Sequence, residues 1–296
     1  MSDSPDASPR SVLITGASSG IGAACALGLD ALGFRVFAGI RSEEHALALR
    51  AQASDRLMPV RLDVTQEEQI QRAKEQIIEC LGGTALTALV NNAGIGVAGP
   101  LEVLPTSELR RQFEVNVIGV MAVTRAFIPL LRASGGRIIN IGSVSGLIAS
   151  PFMSPYAASK FALEAITDSL RVEFLPFGIK VIMVTPGAIA TPIWPKSLEK
   201  ADESLRTAPS QVVDFYRPAI AVLRRRGAVH GRPARDVARA VARALTAKHP
   251  KRRYLVGLDA KLTAWLRWLP AWIRDLLIVS RLPSYGGAAT SQGEEL

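Results

Sequence analysis

Short apolar segments alternate with amphipathic segments along most of the chain. The apolar segments have the length of buried strands and cover residues 11–14, 35–39, 58–62, 85–90, 137–143, 180–184 and 252–257. The stretches between them carry apolar residues at helical spacing. This alternation predicts an α/β fold in which helices cover both faces of a doubly wound parallel sheet of about seven strands.

Four helical stretches are predicted clearly enough to place individual residues. They cover 107–132, the stretch from Pro155 to about residue 174, 233–247, and a C-terminal apolar stripe. Asn116 interrupts the apolar positions of the first helix, and an asparagine inside a helix is mildly unfavourable unless another interaction offsets it. Pro270 is expected to kink the C-terminal helix or divide it in two. The stripe consists of positions 262, 265, 266, 269, 273, 276 and 277.

No linker-like stretch divides the interior, so one domain is expected over residues 11–285. A disordered lead-in is expected at residues 1–10 and a flexible tail at 286–296, with C-terminal helices at about 259–280. Residues 1–10 lack the apolar core of a signal peptide, and no interior run reaches the roughly 18 apolar residues of a membrane span. A soluble, cytoplasmic protein is therefore expected.

Composition narrows the possible functions. The two cysteines and three histidines show no disulfide or metal-ligand spacing, so no metal site is expected. The net charge of +9 indicates affinity for an anion, which could be nucleic acid, a membrane surface or a phosphorylated cofactor. Nucleic acid is disfavoured because the arginines are scattered and no aromatic platform is interleaved with them.

A glycine-rich turn follows the first predicted strand and precedes a helix. Its sequence is Thr15-Gly-Ala-Ser-Ser-Gly-Ile-Gly22. Glycines let a backbone approach a pyrophosphate closely, and the free N–H groups at the start of a helix favour an anion. A plain tight turn is the alternative interpretation.

Three residues further along carry the candidate chemistry. Ser143 ends an apolar strand, at the sheet edge where open α/β folds bind ligands. Tyr156 and Lys160 lie four residues apart, and Pro155 suits the first turn of their helix, so both side chains are expected on one helical face. A tyrosine has a pKa of about 10, and a neighbouring cation favours its ionised form. The alternative is a surface helix with an ordinary Tyr/Lys pair.

These motifs resemble the short-chain dehydrogenase/reductase family, in the branch that includes hydroxysteroid and retinol dehydrogenases. The resemblance rests on the serine thirteen residues before Tyr-x-x-x-Lys, on T-G-x-x-x-G-x-G, and on Asn91-Asn-Ala-Gly94. It implies a single Rossmann-type domain that oxidises alcohols or reduces carbonyls with a nicotinamide cofactor. By resemblance Tyr156 exchanges the proton, Ser143 binds the same oxygen, and Lys160 lowers the tyrosine pKa and binds the nicotinamide ribose.

The resemblance also implies further site residues. Asn116 would be the fourth catalytic residue, holding a water that links Lys160 to solvent, while an asparagine satisfied within the core is the alternative. The Asp63-Val64 pair would contact adenine, although Asp63 could equally be a turn former. The implied cofactor-binding residues are Gly16, Ser18, Ser19, Gly20, Ile21, Gly22, Arg41, Asp63, Val64, Asn92, Ala93, Gly94, Tyr156, Lys160, Pro186, Gly187, Ile189 and Thr191.

The end of the second strand favours NADP(H) over NAD(H). An acidic residue there would accept hydrogen bonds from a ribose 2′-hydroxyl, but the position is occupied by Ile40. Arg41 follows, and a guanidinium suits a 2′-phosphate. An ordinary solvated arginine remains the alternative.

The expected substrate is a small apolar alcohol or ketone, such as a steroid, a retinoid or a lipid-like molecule. The family's variable substrate loop falls at about 194–232, and the expected substrate-binding residues are Ser143, Tyr156, Phe152, Met153 and Trp194. The C-terminal stripe is explained by burial against the core, by a lid, or by peripheral membrane contact. A homodimer or homotetramer is expected by resemblance. An NADP(H)-binding regulator without turnover is the alternative function.

Overall fold

The structure of the protein is a computed structural model that describes residues 10–206, 208–227, 231–280 and 282. The predicted tail at 286–296 and all but the last residue of the predicted lead-in lie outside the described residues. Within the described part, seven strands form one parallel sheet in the order β3-β2-β1-β4-β5-β6-β9, and β7 pairs with β8. The strands are β1 Ser11–Ile14, β2 Arg35–Ile40, β3 Leu57–Arg61, β4 Ala88–Asn91, β5 Arg137–Ile141, β6 Lys180–Pro186, β7 Ile189–Ala190, β8 Arg232–Pro233 and β9 Arg253–Val256.

Helices cover both faces of this sheet, which confirms the predicted doubly wound α/β fold. The α-helices are α1 Gly20–Ala31, α2 Glu43–Arg50, α3 Glu67–Leu81, α4 Thr106–Phe113, α5 Gly119–Ser134, α6 Ser154–Glu173, α7 Ile193–Arg206, α8 Ser210–Gly227, α9 Ala234–Thr246, α10 Leu258–Leu266 and α11 Ala271–Val279. Short 3₁₀ turns occur at Leu101–Val103, Val144–Gly146 and Leu175–Phe177, and Glu114–Ile118 is a π-helical turn.

Two apolar layers form the core. On one face of the sheet, α1 and α9 pack together over the strands, around buried residues such as Phe34 and Val241. On the other face, α3 and α5 pack around Phe37, Ile77 and Phe127. Because each parallel strand is covered on both faces, the strand segments are continuous apolar runs rather than alternating ones.

The order in which the chain adds strands reverses at the centre of the sheet, between β1 and β4. The chain builds outward from β1 to β3 in one direction and from β4 to β9 in the other. Ligands in open α/β sheets bind at the carboxyl ends of the strands near such a switch point. The glycine-rich turn after β1 and the Asn91–Gly94 turn after β4 meet at this point.

A polar network crosses the core one residue below this edge. Asn91 on β4 donates to Thr124 on α5 at 3.0 Å and to Asn140 on β5 at 2.9 Å. Asn140 donates to Thr167 on α6 at 2.8 Å. These hydrogen bonds link β4 and β5 to α5 and α6, which pack against the same face of the sheet. Since buried polar groups are costly unless paired, the network specifies one alignment of β4, β5 and the two helices.

The predicted helix 107–132 is part of a continuous helical segment, Thr106–Ser134, composed of α4, the π-helical turn and α5. Within the described residues it is the one helix long and apolar enough to cross a membrane, and half of its most apolar window is buried. That buried part includes Val123 and Phe127, which pack in the layer around α3. Its apolar character therefore serves the core in this structure.

The sequence Thr65-Gln-Glu-Glu68 has the pattern of a capping box, which predicts the start of a helix there, and this prediction is wrong. Helix α3 begins at Glu67 after Gln66, without a side-chain cap. The hydroxyl of Thr65 instead donates to Asp63 at 2.8 Å. A turn organised by the aspartate thus takes the place of the predicted helix start.

Two C-terminal regions can be compared with their predictions, the expected substrate loop and the C-terminal stripe. Residues 193–227 are helical over most of their length, as α7 and α8. Pro270 divides the C-terminal helix in two, as one of the alternatives predicted. Burial against the core does not explain the whole stripe, because Leu262, Trp265, Leu276 and Leu277 are exposed. Trp268 and Trp272, which flank the stripe, are 78% and 68% exposed.

Candidate active site

The serine, the tyrosine and the lysine predicted from the motif converge at the carboxyl end of β5. Ser143 follows the strand, and its Oγ accepts a hydrogen bond from the backbone of Ser145 at 3.1 Å. Pro155 lies in the first turn of α6, so Tyr156 and Lys160 share one helical face as expected. Ser143, Tyr156 and Lys160 are only 8%, 6% and 7% exposed.

Burial dominates the electrostatics of Tyr156. It raises the pKa of the phenol above its ordinary value, and a hydrogen bond with Ser143 opposes this rise. Trp194 at the start of α7 contacts the same ring edge to face, with the ring centroids 5.2 Å apart. Tyr156 is therefore protonated at neutral pH and bounded by one polar and one aromatic neighbour.

The ammonium group of Lys160 lies beside Tyr156. Its Nζ donates to the carbonyl of Ile141 at 2.9 Å and lies 5.8 Å from the centroid of the Tyr156 ring. Burial lowers the pKa of Lys160 to about 8, against a raising effect from Glu164. That Lys160 lowers the pKa of Tyr156 stays a prediction.

An ion pair that the sequence analysis missed lies one helical turn beyond Lys160. Glu164 binds Arg253 of β9 through both carboxylate oxygens, one of them at 2.7 Å from Nη1. The same guanidinium donates to the Oγ1 of the buried Thr185 at 2.9 Å. This contact ties α6 to the last two strands of the sheet. The spacing of Glu164 from Lys160 was a visible signal, but its partner is distant in sequence.

Asn116 occupies the π-helical turn, and its side chain is satisfied within the protein. It accepts from the backbone N–H of Ile95 at 2.9 Å, and its Nδ2 lies 3.0 Å from the Ile95 carbonyl and 3.2 Å from the Ser159 hydroxyl. Asn116 thus holds the loop after β4 against α6. π-Helical turns are rare in proteins, because the extra residue disturbs the regular backbone hydrogen bonding. Those that occur are often found at functional sites.

The glycine-rich turn is packed tightly against the Asn91–Gly94 turn. Asn92 donates from its amide to the carbonyls of Thr15 and Gly16 at 2.9 and 3.0 Å. A Cβ on Gly22 would lie 2.2 Å from the Gly16 carbonyl, and one on Gly16 would lie 2.8 Å from the Cα of Ala93. The Thr15 hydroxyl accepts from the backbone of Ala93 at 3.0 Å. This crowding requires glycine at both positions.

The start of α1 presents backbone donors without a side-chain cap. Ser19, at its N-cap, makes no capping hydrogen bond. Gly20 has a left-handed φ of 55°, and a Cβ there would lie 3.2 Å from the methyl group of Thr191. The predicted residues Ser18 and Ile21 flank this approach. These features fit a bound pyrophosphate, since free N–H groups at a helix start bind anions and the glycines leave room for them.

The residues predicted to select the cofactor lie beyond β2 and β3. The side chain of Arg41 is 71% exposed, and its guanidinium is 3.9 Å from Asp63, which is a loose ion pair. Asp63 accepts from both the backbone and the hydroxyl of Thr65, so it does form a turn. The neighbouring Val64 is buried against Gly119, where a Cβ would lie 2.7 Å from a Val64 methyl.

The predicted nicotinamide loop, Pro186 to Thr191, is held by an aspartate that the motifs did not indicate. The carboxylate of Asp259, in the first turn of α10, accepts from the backbone N–H of Ala188 at 2.6 Å. A Cβ on Gly187 would lie 2.0 Å from the same carboxylate. Ile189 continues into the short strand β7, which pairs with β8. Asp259 follows the last strand, whose position beside β6 only the tertiary structure reveals.

Of the predicted substrate residues, Trp194 contacts Tyr156 directly, as described. Phe152 has a left-handed φ of 65°, which is uncommon for a bulky residue, and its ring contacts Tyr216 of α8 edge to face at 6.2 Å. Met153 is the N-cap of α6, next to Phe152. Phe152 and Met153 therefore lie at the start of the helix that carries Tyr156.

Comparisons with known proteins agree with this arrangement. A family model described as short chain dehydrogenase matches residues 10–202. Retinol dehydrogenase 5 of Mus musculus is 38% identical over 290 residues, 94% of this chain and 90% of the relative. 17-beta-hydroxysteroid dehydrogenase type 6 of Bos taurus is 38% identical, over 92% of this chain and 88% of the relative. NADPH-dependent 3-dehydrocapnine reductase of Ornithobacterium rhinotracheale is 34% identical, over 84% and 88%.

Solved structures show the same fold. A short-chain dehydrogenase from Streptomyces avermitilis superposes with a TM-score of 0.75 at 31% identity, covering 93% of this chain and 98% of that one. A short-chain dehydrogenase from Burkholderia cenocepacia in complex with NADP gives a TM-score of 0.70 at 28% identity, covering 92% and 98%.

Proposed function

Because the chain belongs to the short-chain dehydrogenase family, in its retinol and hydroxysteroid dehydrogenase branch, and is an oxidoreductase that uses a nicotinamide cofactor, we propose its specific reaction. The enzyme interconverts a secondary alcohol and a ketone, or an alcohol and an aldehyde, on an apolar substrate with NADP(H). The observation that carries this proposal is the buried Tyr156, protonated and hydrogen-bonded to Ser143 beside the ammonium of Lys160.

The proposed roles follow from these positions. Tyr156 donates its proton to a carbonyl oxygen, and Ser143 hydrogen-bonds the same oxygen and orients it. When bound, the cofactor supplies the hydride that reduces the carbonyl carbon. Lys160, whose pKa burial lowers to about 8, exchanges protons near neutral pH and can resupply the phenol. In the direction of alcohol oxidation the same groups accept the proton.

The residues that would hold the cofactor fit its parts. The uncapped start of α1 and the crowded glycines Gly16 and Gly22 suit the pyrophosphate. Lys160 suits the nicotinamide ribose, and the loop that Asp259 holds suits the nicotinamide itself. Asn116 holds the loop after β4, and a water at this position would bind its backbone carbonyl, because its side chain is already paired.

NADP(H) is proposed over NAD(H) because Arg41 lies exposed and only loosely paired at the end of β2. The solved relative with NADP and the relative named as NADPH-dependent support this preference. Charge-assisted hydrogen bonds to a 2′-phosphate are worth about 1.5–3 kcal/mol, so the preference should be about ten- to a hundred-fold. Calorimetry with both cofactors measures it.

The cofactor experiment has a matched control. Arg41→Ala should weaken NADPH binding and leave NADH binding unchanged, and Ile40→Asp should move the preference toward NADH. Arg50→Ala, which removes another exposed arginine from the end of α2, should change neither affinity. Equal affinities of the intact protein for the two cofactors would contradict the proposal.

An apolar substrate is proposed because Trp194 contacts Tyr156, and the apolar Phe152 and Met153 directly precede the helix that carries it. Each methylene that a substrate buries contributes about 0.8 kcal/mol, so kcat/KM should rise with the size of an apolar ketone until the pocket is full. The names of the retinol and hydroxysteroid dehydrogenase relatives support the same substrate class. Better turnover of small polar ketones would contradict this part of the proposal.

We propose peripheral contact with a lipid surface through α10 and α11. Trp265, Trp268 and Trp272 are exposed, and Arg267 stacks on the Trp268 ring with its guanidinium carbon 5.0 Å from the ring centroid. Tryptophan and arginine together suit the boundary between headgroups and acyl chains. Trp265→Ser with Trp268→Ser should reduce cosedimentation with anionic vesicles, whereas Leu175→Ser, at an equally exposed leucine, should not.

Replacing Tyr156 tests the catalytic proposal. Tyr156→Phe keeps the ring and removes the proton, so turnover of ketones with NADPH should fall by about 10²–10⁴-fold while NADPH binding survives. Tyr254→Phe is the control, because it removes the phenol of a tyrosine on β9 whose hydroxyl accepts from the backbone of Lys251. The intact protein is also assayed with a panel of steroid, retinoid and acyl ketones and aldehydes. If it binds NADPH but turns over none of them, the result favours the NADP(H)-binding regulator instead.

A further inference from the structure

A cavity lies beside the turn that follows Ser143. It has a volume of about 400 Å³ and lies between the turn at Val144–Gly146, the loop that follows, and helices α10 and α11. Its walls are mainly apolar, including Val144, Ile148, Leu266 and Leu277. A volume of roughly 300–1,000 Å³ with apolar walls is typical of small-molecule sites.

The turn that follows Ser143 forms part of the cavity wall. Val144 and Ser145 in this wall directly follow Ser143, and the backbone N–H of Ser145 donates to the Ser143 hydroxyl at 3.1 Å. The cavity is therefore adjacent to the serine of the candidate active site, and α10 and α11 form its other wall.

One cationic side chain interrupts the apolar wall. Arg274 of α11 lines the cavity, and its Nε is buried with no hydrogen-bond partner among the described residues. No carboxylate in the described part of the chain forms an ion pair with it. The buried N–H of a guanidinium is costly to leave unpaired. Arg267, by contrast, lies at the surface on Trp268. Among the described residues, no acidic group neutralises the charge of Arg274, and its Nε is left without a partner.

We propose that this cavity holds the part of the substrate remote from the reacting carbonyl, and that Arg274 binds an anionic oxygen group there, such as a carboxylate. The substrate is then an amphipathic oxo compound or alcohol with an apolar body and an acidic end. A planar carboxylate matches the fork of a guanidinium, and the apolar walls match the body between them. This inference rests on the proposed reaction and narrows its substrate class.

The test compares ketones that differ only in the remote group. A series of long-chain oxo fatty acids with the oxo group at different positions is assayed with NADPH, beside the methyl esters and the unsubstituted alkanones. The acid with the fitting spacing should show a KM about ten- to a hundred-fold lower than its alkanone. Arg274→Met should remove that difference by raising KM for the acid alone, and Arg274→Lys should retain part of it.

The controls separate this inference from the proposed reaction. Arg267→Met should leave both substrates unchanged. The inference is overturned, and the proposed reaction left intact, by either of two results. One is turnover of alkanones with no preference for the acid, and the other is an equal effect of Arg274→Met on both substrates. No turnover of any ketone would overturn the reaction itself. Calorimetry of acid and alkanone binding to Tyr156→Phe gives an independent readout, and an unchanged or higher Tm of Arg274→Met excludes a purely structural role.

Discussion

The ion pair between Glu164 and Arg253 allows a quantitative test of how α6 is held in place. The side chains are 13% and 27% exposed, and the contact uses both carboxylate oxygens. Removing one partner of a buried pair costs about 3–5 kcal/mol, whereas exposed pairs contribute about 0–1 kcal/mol. Glu164→Gln keeps the shape of the side chain, and Arg253 is partly solvated. The expected loss in the free energy of unfolding is therefore about 2–3 kcal/mol.

The substitution should also act on Lys160. The carboxylate of Glu164 raises the pKa of Lys160 against the lowering effect of burial. Without that charge, the pKa of Lys160 should fall further below about 8. The lysine would then lose its proton at a lower pH, which NMR of isotope-labelled lysine measures directly in the cofactor-free protein.

The assay is urea unfolding followed by tryptophan fluorescence. Glu68→Gln is the matched control, because it breaks an exposed pair with Arg72 on α3, and it should cost less than about 0.5 kcal/mol. The double variant of Glu164→Gln with Arg253→Met should lose much less than the sum of the two single losses, because the unpaired buried charge is gone. Equal small losses for Glu164→Gln and Glu68→Gln would refute the reasoning.

Three further predictions rest on single contacts. Burial lowers the pKa of Lys160 from 10.5 to about 8, so between these pH values the unfolded chain binds more protons and stability rises with pH. Lys160→Met should therefore stabilise the cofactor-free protein by about 2–3 kcal/mol at pH 7, and urea unfolding should show the gain shrinking toward pH 10. Gly22→Ala places a Cβ 2.2 Å from the Gly16 carbonyl, so calorimetry should show NADPH affinity lost or greatly weakened. Asp259→Ala removes the acceptor for Ala188, so KM for NADPH should rise at least several-fold, and Asp259→Asn should restore part of it.

Local patterns in the sequence predicted the strands, the helices and the placement of the central catalytic residues. Strand segments buried on both faces are continuous apolar runs, and helix spacing places Tyr156 and Lys160 on one face whatever surrounds them. The sheet, its carboxyl-end edge and the turn after β1 followed from such local patterns. These features depend on residues near in sequence, which is why they were predictable.

Only the tertiary structure decided which distant groups meet. The partner of Glu164 is on β9 and the loop held by Asp259 follows β6, so neither contact has a local signal. The side chain of Asn116 is satisfied by Ile95 rather than left free for water. The C-terminal stripe would have a helical period whether the core, a substrate or a lipid surface covered it. Periodicity indicates a helix with one apolar side, but it does not indicate what that side contacts. The exposure of Trp265 and the unpaired Nε of Arg274 depend on how α10 and α11 dock beside the site, which packing alone determines.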